Sequence, residues 1–252
     1  MCSVSIVTVC YNAKNTIAAT MRSVLNQTYD NIEYILVDGN SSDGTLEEIY
    51  TVVNEYPDRQ IWVKSEPDQG IYDAMNKGID KASGVWINFM NAGDVFADCR
   101  VIEKMVSYFI NTSNDVVFGN TLLMKNGLFY KMQRGKLKSD AFPELVHQST
   151  FVRTDMMKSH LFNTKYLISA DFEFLYSLYV SGKKFCYVDL NVSKYDVSGL
   201  SSNHRAELYK EHSDIQGIRI SQIRLLMYKI EDNLPSWIIV VLSKLKNLCH
   251  NA

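Results

Sequence analysis

Tyr34-Ile-Leu-Val-Asp-Gly-Asn-Ser-Ser-Asp-Gly-Thr-Leu46 is the stretch on which the fold turns. Its apolar run, Tyr34–Val37, is too short for a helix and reads as a strand buried on both faces. Asp38, Gly39 and Asn40 end the run with residues suited to tight turns. Leu46, Ile49 and Val53 then recur at helical spacing, which gives the next segment one apolar stripe. The same passage from strand through polar turn to amphipathic helix occurs on either side. Ser3–Cys10 is a β-branched apolar run, followed by Ile17, Met21, Val24 and Leu25 on one helical face, with Asn15 or Thr16 placed to cap it. Ile61–Val63 precedes a helix marked by Ile71, Met75 and Ile79, for which Gly84 offers an end. Val85–Met90 precedes a helix carrying Val101, Met105 and Phe109. Four such repeats predict an α/β fold, a parallel sheet covered on both faces.

After about residue 115 the pattern changes. Asp115–Gly119 reads as a strand, and Leu122–Met124 and Leu128–Tyr130 flank Asn126-Gly127, a hairpin signal. Ser149–Val152 and Lys184–Asp189 read as strands and Phe172–Tyr179 as a helix. Leu208, Ile215, Ile218, Ile223, Leu226 and Ile230 then predict one long helix, interrupted by Pro235. With no repeat and no linker rich in Gly, Pro or Ser, the expected organisation is one domain over 1–203, in halves 1–115 and 116–203, with a helical extension over 204–252.

The chain has 252 residues and a formal net charge of −2, which is not the broad basic field of a nucleic-acid binder. Cys2, Cys10, Cys99, Cys186 and Cys249 are scattered without a C-x-x-C pair, the pattern of free thiols in a reducing compartment. The first apolar run lacks a cationic leader, and no stretch reaches the roughly 18 apolar residues of a membrane span. Leu234–Lys246, with Trp237, a block of aliphatics and two lysines, suits either a helix lying in a membrane interface or a last helix docked on the core.

Ligands of open α/β sheets bind beyond the carboxyl ends of the parallel strands. Asp38, Asp68 and Asp94 all fall at or just past such ends. Converging carboxylates suit a divalent cation, ribose hydroxyls and a base N–H, and would repel a bare diphosphate unless a cation lay between. Each aspartate can also simply initiate a turn. The glycine cradles of kinases and nicotinamide enzymes are missing; the turn after the first strand is Tyr11-Asn-Ala-Lys14, whose ring can stack on a nucleobase.

Four segments carry a resemblance: Ser5–Asn12, Asp38–Thr45, Glu66-Pro-Asp-Gln-Gly-Ile-Tyr-Asp-Ala-Met-Asn-Lys-Gly78 and Met90-Asn-Ala-Gly-Asp94. In this order they resemble the family 2 glycosyltransferases, which have the GT-A fold: a Rossmann-like, mostly parallel sheet flanked by helices, followed by a mixed β/α acceptor half. The resemblance implies a nucleoside-diphosphate sugar donor, most often uridine-based, and transfer with inversion. It places Tyr11 beside the base, Thr8 at the base's edge, Asp38 on the base N–H and Asp68 in the donor pocket. The family's acidic motif is reduced here to Asn91-Ala-Gly-Asp94. Asp94 is then the ligand of Mn²⁺ or Mg²⁺, and Asn91 a neutral partner for ribose or sugar hydroxyls.

Ser169-Ala-Asp-Phe-Glu173 resembles the segment that supplies the general base, which implies Asp171 in that role and Glu173 as second choice. A helix N-cap is the other reading of Asp171. His147 and Gln148 are expected at the acceptor rim, and His204, after Ser198-Gly-Leu-Ser-Ser202, in the metal shell. The segment around residues 195–204 is expected to close over the donor. The acceptor is expected to be a glycan or lipid-linked saccharide, reached from the cytoplasmic side with 234–249 touching the membrane. A nucleotidyltransferase would need a glycine-rich basic loop after the first strand. A non-catalytic sugar-binding or assembly subunit would fit the thinned acidic motif but leaves the retained aspartates without a task.

Overall fold

The computed structural model describes residues 2–109, 113–125, 128–137, 141–196 and 204–233. They fall into two compact units, Met1–Val197 and Ser198–Ala252. In the first unit, β1 (Val4–Cys10), β2 (Ile32–Asp38), β3 (Ile61–Ser65) and β4 (Trp86–Phe89) lie parallel in the order β3-β2-β1-β4. Period-two alternation decides which side chain goes to which face. Val4 and Ile6 of β1 and Tyr34 and Leu36 of β2 join one core cluster with α1 (Ile17–Leu25), α2 (Thr45–Glu55) and α4 (Val101–Phe109). Val7, Val9, Ile35 and Val37 join the other, with α3 (Ile71–Lys81), α5 (Thr154–Ser159) and α6 (Ala170–Val180). The parallel sheet covered on both faces is therefore present as expected.

Beyond β4 the sheet becomes mixed. The strand β8 (Thr150–Arg153) inserts antiparallel between β4 and β6 (Val116–Lys125). On the far side of β6 run β9 (Phe185–Asp196), parallel to it, and then β5 (Val95–Phe96). The expected strands 115–119 and 122–124 are one strand: its first part pairs with β8 and its later part with β7 (Leu128–Gln133). Lys125 pairs with Leu128 as a hairpin requires, while Asn126 and Gly127 themselves lie outside the described residues.

Three local expectations are corrected. Thr16 precedes α1 but makes no side-chain cap; its hydroxyl instead donates back to the Ala13 carbonyl. Gly84 does not end α3, which stops at Lys81; a Cβ there would come within 2.6 Å of the Ser5 backbone nitrogen, so the residue is small because β1 passes against it. The single long C-terminal helix is two, α7 (Arg205–Ile215) and α8 (Gln222–Asp232), separated at Gly217 with φ +65°. The Asp232 carboxylate accepts from the Arg205 and Ala206 backbone N–H groups at 2.9 and 3.0 Å, so the end of α8 returns to the start of α7. Pro235, the 234–249 segment and Ser198–Ser202 lie outside the described residues. Among the described residues no helix is long and apolar enough to cross a membrane.

Candidate active site

Strand register brings Cys10, Asp38 and Ser65 side by side at the carboxyl edge of the sheet. Asp38 is fully buried and well supplied with donors: Ser41 gives its hydroxyl at 2.5 Å and its N–H at 3.1 Å, and Ser65 its hydroxyl at 2.6 Å. Burial and the Asp38 charge push the Cys10 thiol well above its ordinary range, so it stays protonated. Asp38 thus shapes the 38–45 turn, and its oxygens face the protein. Thr8, expected at the base's edge, is also fully buried, with its hydroxyl donating to the Met90 carbonyl at 2.7 Å and lying 3.0 Å from the Tyr34 hydroxyl. Of the residues expected to touch the donor at this end, Tyr11 is 66% exposed and Asp68 half-buried. They adjoin across Gly39, where a Cβ would strike the Asp68 carboxylate and lie 3.3 Å from the Tyr11 ring.

The Met90–Asp94 segment continues along β1, with the Met90 and Ala92 N–H groups bound to the carbonyls of Val7 and Val9. This fixes Asn91 and Asp94 just past the strand ends. Because β8 runs antiparallel, its entry lies at the same edge, and there His147–Ser149 form a 3-10 turn. Asn88 of β4 holds that turn by donating to the carbonyls of Gln148 and Thr150.

The consequence is the main feature of the site. Two adjacent residues grip the two aspartates: Gln148 Nε2 donates to Asp94 Oδ2 at 3.0 Å, and His147 Nδ1 lies 2.7 Å from Asp171 Oδ2. The other oxygen of Asp171 accepts from the Tyr72 hydroxyl at 2.8 Å. Asp171 is not the N-cap of α6; Ser169 occupies that place and Asp171 sits in the first helical turn. Burial raises the Asp171 carboxyl, but the hydrogen bond and charge of His147, with Tyr72 and the Phe172 N–H, bring it below the ordinary carboxylate range. Burial opposes protonation of His147, yet Asp171, helped by Asp94, holds it above its ordinary value. Beneath the pair lies an apolar cavity whose lining includes Met75, Phe89, Phe162 and Phe174. Glu173 points elsewhere: its Oε2 lies 3.7 Å from His160 Nε2.

A metal can be tested against these groups. Among the described residues no three His, Cys, Asp or Glu side chains are grouped so that they could hold a metal ion by themselves. The oxygens of Asn91 and Gln148, residues only 9% and 4% exposed, are buried and have no hydrogen-bond partner there. Amide and carboxylate oxygens are ligands for hard cations such as Mg²⁺ and Mn²⁺, and such sites commonly complete their shell with substrate phosphates. The set around Asp94 therefore fits a cation shared with a diphosphate rather than one caged by protein. His204 stands exposed at the start of α7, in the C-terminal unit.

The sequence reading did not single out Tyr72, Ser41 or Ser65. Tyr72 shares the buried face of α3 with Met75 and Ile79, so its spacing looked like core, and only its phenol oxygen set it apart.

Comparison with known proteins bears on the family and the fold. The family model described as glycosyl transferase family 2 matches residues 5–169, more than half of the chain. A PGL/p-HBAD biosynthesis glycosyltransferase of Mycobacterium tuberculosis is 28% identical over 176 residues, 68% of this chain and 67% of the relative. The Escherichia coli protein WfgD, named as a UDP-Glc:alpha-D-GlcNAc-diphosphoundecaprenol beta-1,3-glucosyltransferase, is 32% identical over 49% of this chain and 47% of its own. Among solved structures, S. aureus TarS 1-349 in complex with UDP superposes with a TM-score of 0.65 at 16% identity, covering 88% of this chain and 68% of that one. Mannosyltransferase PcManGT from Pyrobaculum calidifontis, in complex with GDP-Man and Mn²⁺, gives 0.69 at 14% identity over 92% and 70%. These likenesses show the GT-A fold. The chain belongs to glycosyl transferase family 2 and is a glycosyltransferase.

Proposed function

We propose that the chain transfers a sugar, with inversion, from a uridine-diphosphate sugar to a hydroxyl of a lipid-linked glycan. The observation that carries this reading is the grip of adjacent residues His147 and Gln148 on Asp171 and Asp94. One backbone step thus ties the donor-side carboxylate to the acceptor-side carboxylate. Asp171, kept ionised, takes the proton of the attacking hydroxyl. The new bond forms at the anomeric carbon as the sugar–phosphate bond breaks, and its electron pair leaves with the diphosphate. Asp94, with the amide oxygens of Asn91 and Gln148, would hold a divalent cation. When bound, that cation stabilises negative charge on the diphosphate. Tyr11 and Asp68 are the groups open to the uracil and ribose, while Thr8 and Asp38 position the loops that carry them.

The activity in the name of WfgD, with a UDP-Glc donor and a diphosphoundecaprenol acceptor, supports the substrate classes, and such an acceptor calls for work at the cytoplasmic membrane face. Ile223, Leu226, Met227 and Ile230 are exposed along one face of α8, which supports surface contact beside the expected 234–249 segment. The test is a panel of nucleotide sugars with Mn²⁺, read as released nucleoside diphosphate. Turnover of a UDP-sugar is expected, together with loss of about 10²–10³-fold in Asp94→Asn, the scale of removing one electrostatic element from a transition state. Full activity of that variant, or turnover of no nucleotide sugar, would contradict the proposal.

A further inference from the structure

Tyr72 stands on α3 two residues after Gly70, whose N–H is held by Asp68 at 2.9 Å, so one short segment carries a donor-pocket carboxylate and this phenol. Its ring is buried against Phe162, with centroids 5.5 Å apart, and its hydroxyl faces two acceptors: Asp171 Oδ1 at 2.8 Å and the Ile168 carbonyl at 2.7 Å. A hydroxyl has one hydrogen and can turn it without moving its oxygen. We infer that Tyr72 is the positioning residue of the general base, giving its hydrogen to Asp171 while that group is a carboxylate and to Ile168 once it is a carboxylic acid. This rests on Asp171 being the base.

The proton count supports the assignment. Before transfer, Asp171 carries a negative charge, His147 faces Oδ2 and Tyr72 faces Oδ1. A hydrogen bond to an ionised acceptor is about twice as strong as one between neutral groups, so the phenol hydrogen goes to Asp171. When the acceptor hydroxyl gives its proton to Asp171, its oxygen bonds to the anomeric carbon and the diphosphate leaves with the electron pair. The carboxyl, now neutral, is a weaker acceptor, and the phenol hydrogen turns to Ile168. Tyr72 keeps its own proton throughout. Had the phenol only a core role, Ile168 alone would satisfy it and the Asp171 contact would be surplus. The titratable groups that face Asp171 are His147 from the 3-10 turn and Tyr72 from α3, with Asp94 acting on His147 from beyond, while Glu173 on its own helix turns to His160.

The experiment is carboxyl and tyrosine-Cζ NMR on the full chain, followed by kinetics. In the wild type, the Cζ shift of Tyr72 should move at the midpoint of the Asp171 titration. In Tyr72→Phe, the acid dissociation constant of Asp171 should fall about 10- to 100-fold, the effect of losing one donor to a charged group. With the UDP-sugar that the wild type hydrolyses, Tyr72→Phe should lower kcat and leave donor KM unchanged, and should cost nothing further in an Asp171→Asn background. A Tyr72 shift that stays flat through the Asp171 midpoint, unchanged Asp171 acidity, or equal losses in both backgrounds would overturn the assignment. Asp171→Asn with full transfer would instead overturn the base reading, leaving the NMR result standing by itself.

Discussion

Removing the charge of Asp171 changes its neighbour His147 in a direction that can be worked out. The largest influence on His147 is burial, which disfavours the imidazolium, and the Asp171 hydrogen bond and charge, with the Asp94 charge, together outweigh it. In Asp171→Asn burial prevails, so the His147 pKa should fall from above its ordinary value to below it; an imidazole NMR titration checks this. The pair also predicts a stability profile. Asp171, lowered in the folded chain, contributes above the unfolded carboxylate pKa, and the contribution is lost as pH falls through its folded value. His147, raised in the folded chain, contributes below the unfolded imidazole pKa, and the contribution is lost as pH rises through its folded value. Urea midpoints should therefore show the largest wild-type advantage over Asp171→Asn between these limits, near pH 5 to 6 on ordinary reference values. An advantage that grew steadily towards pH 9 would contradict the pairing.

At the scale of elements, helix α3 is seated on β1 by Gly78. A Cβ there would collide with Val7, which is fully buried in the second core cluster. In an exposed helix Gly→Ala gains about 1 kcal/mol. Overpacking a buried contact costs about 1–3 kcal/mol. The collision should win, so Gly78→Ala should lower the urea midpoint, whereas a raised midpoint would show that α3 can lift without cost. The same scale shows what could be read in advance. The β1 to β4 strands are legible as short apolar runs ended by turn residues, and the α1 to α4 helices because each carries a period of 3.6 residues. The β8 insertion is not, since a strand of four residues gives no sign of which edge it joins or in which direction. That direction places His147 and Gln148 at the mouth. Sequence supplied His147, Gln148, Asp94 and Asp171 as candidates, but not the His147–Asp171 and Gln148–Asp94 contacts, which span 24 and 54 positions. Asp38 and Thr8 were legible as residues of the carboxyl edge, while their burial depends on Ser41, Ser65 and Tyr34 closing around them.

For the whole molecule, both core clusters and every strand of the sheet lie within Met1–Val197. A chain ending at residue 197 should therefore unfold cooperatively, with a midpoint close to that of the full chain; a broad, early transition would show that the C-terminal unit completes the core. Vesicle flotation separates the roles at the other end. Full-length protein should float with anionic vesicles, and Leu226→Ser with Ile230→Ser should reduce this at least severalfold, because burial of apolar area drives such binding. Equal flotation of both would remove α8 from the contact. Neither result bears on the proposed chemistry, which rests on two carboxylates held by one dipeptide. Its most direct measurement is transfer by Asp171→Asn with a UDP-sugar and Mn²⁺, beside calorimetric binding of UDP. The account predicts a fall in kcat of about 10²–10⁴-fold, the usual worth of a positioned general base, with UDP affinity unchanged. Wild-type turnover in that variant would contradict it.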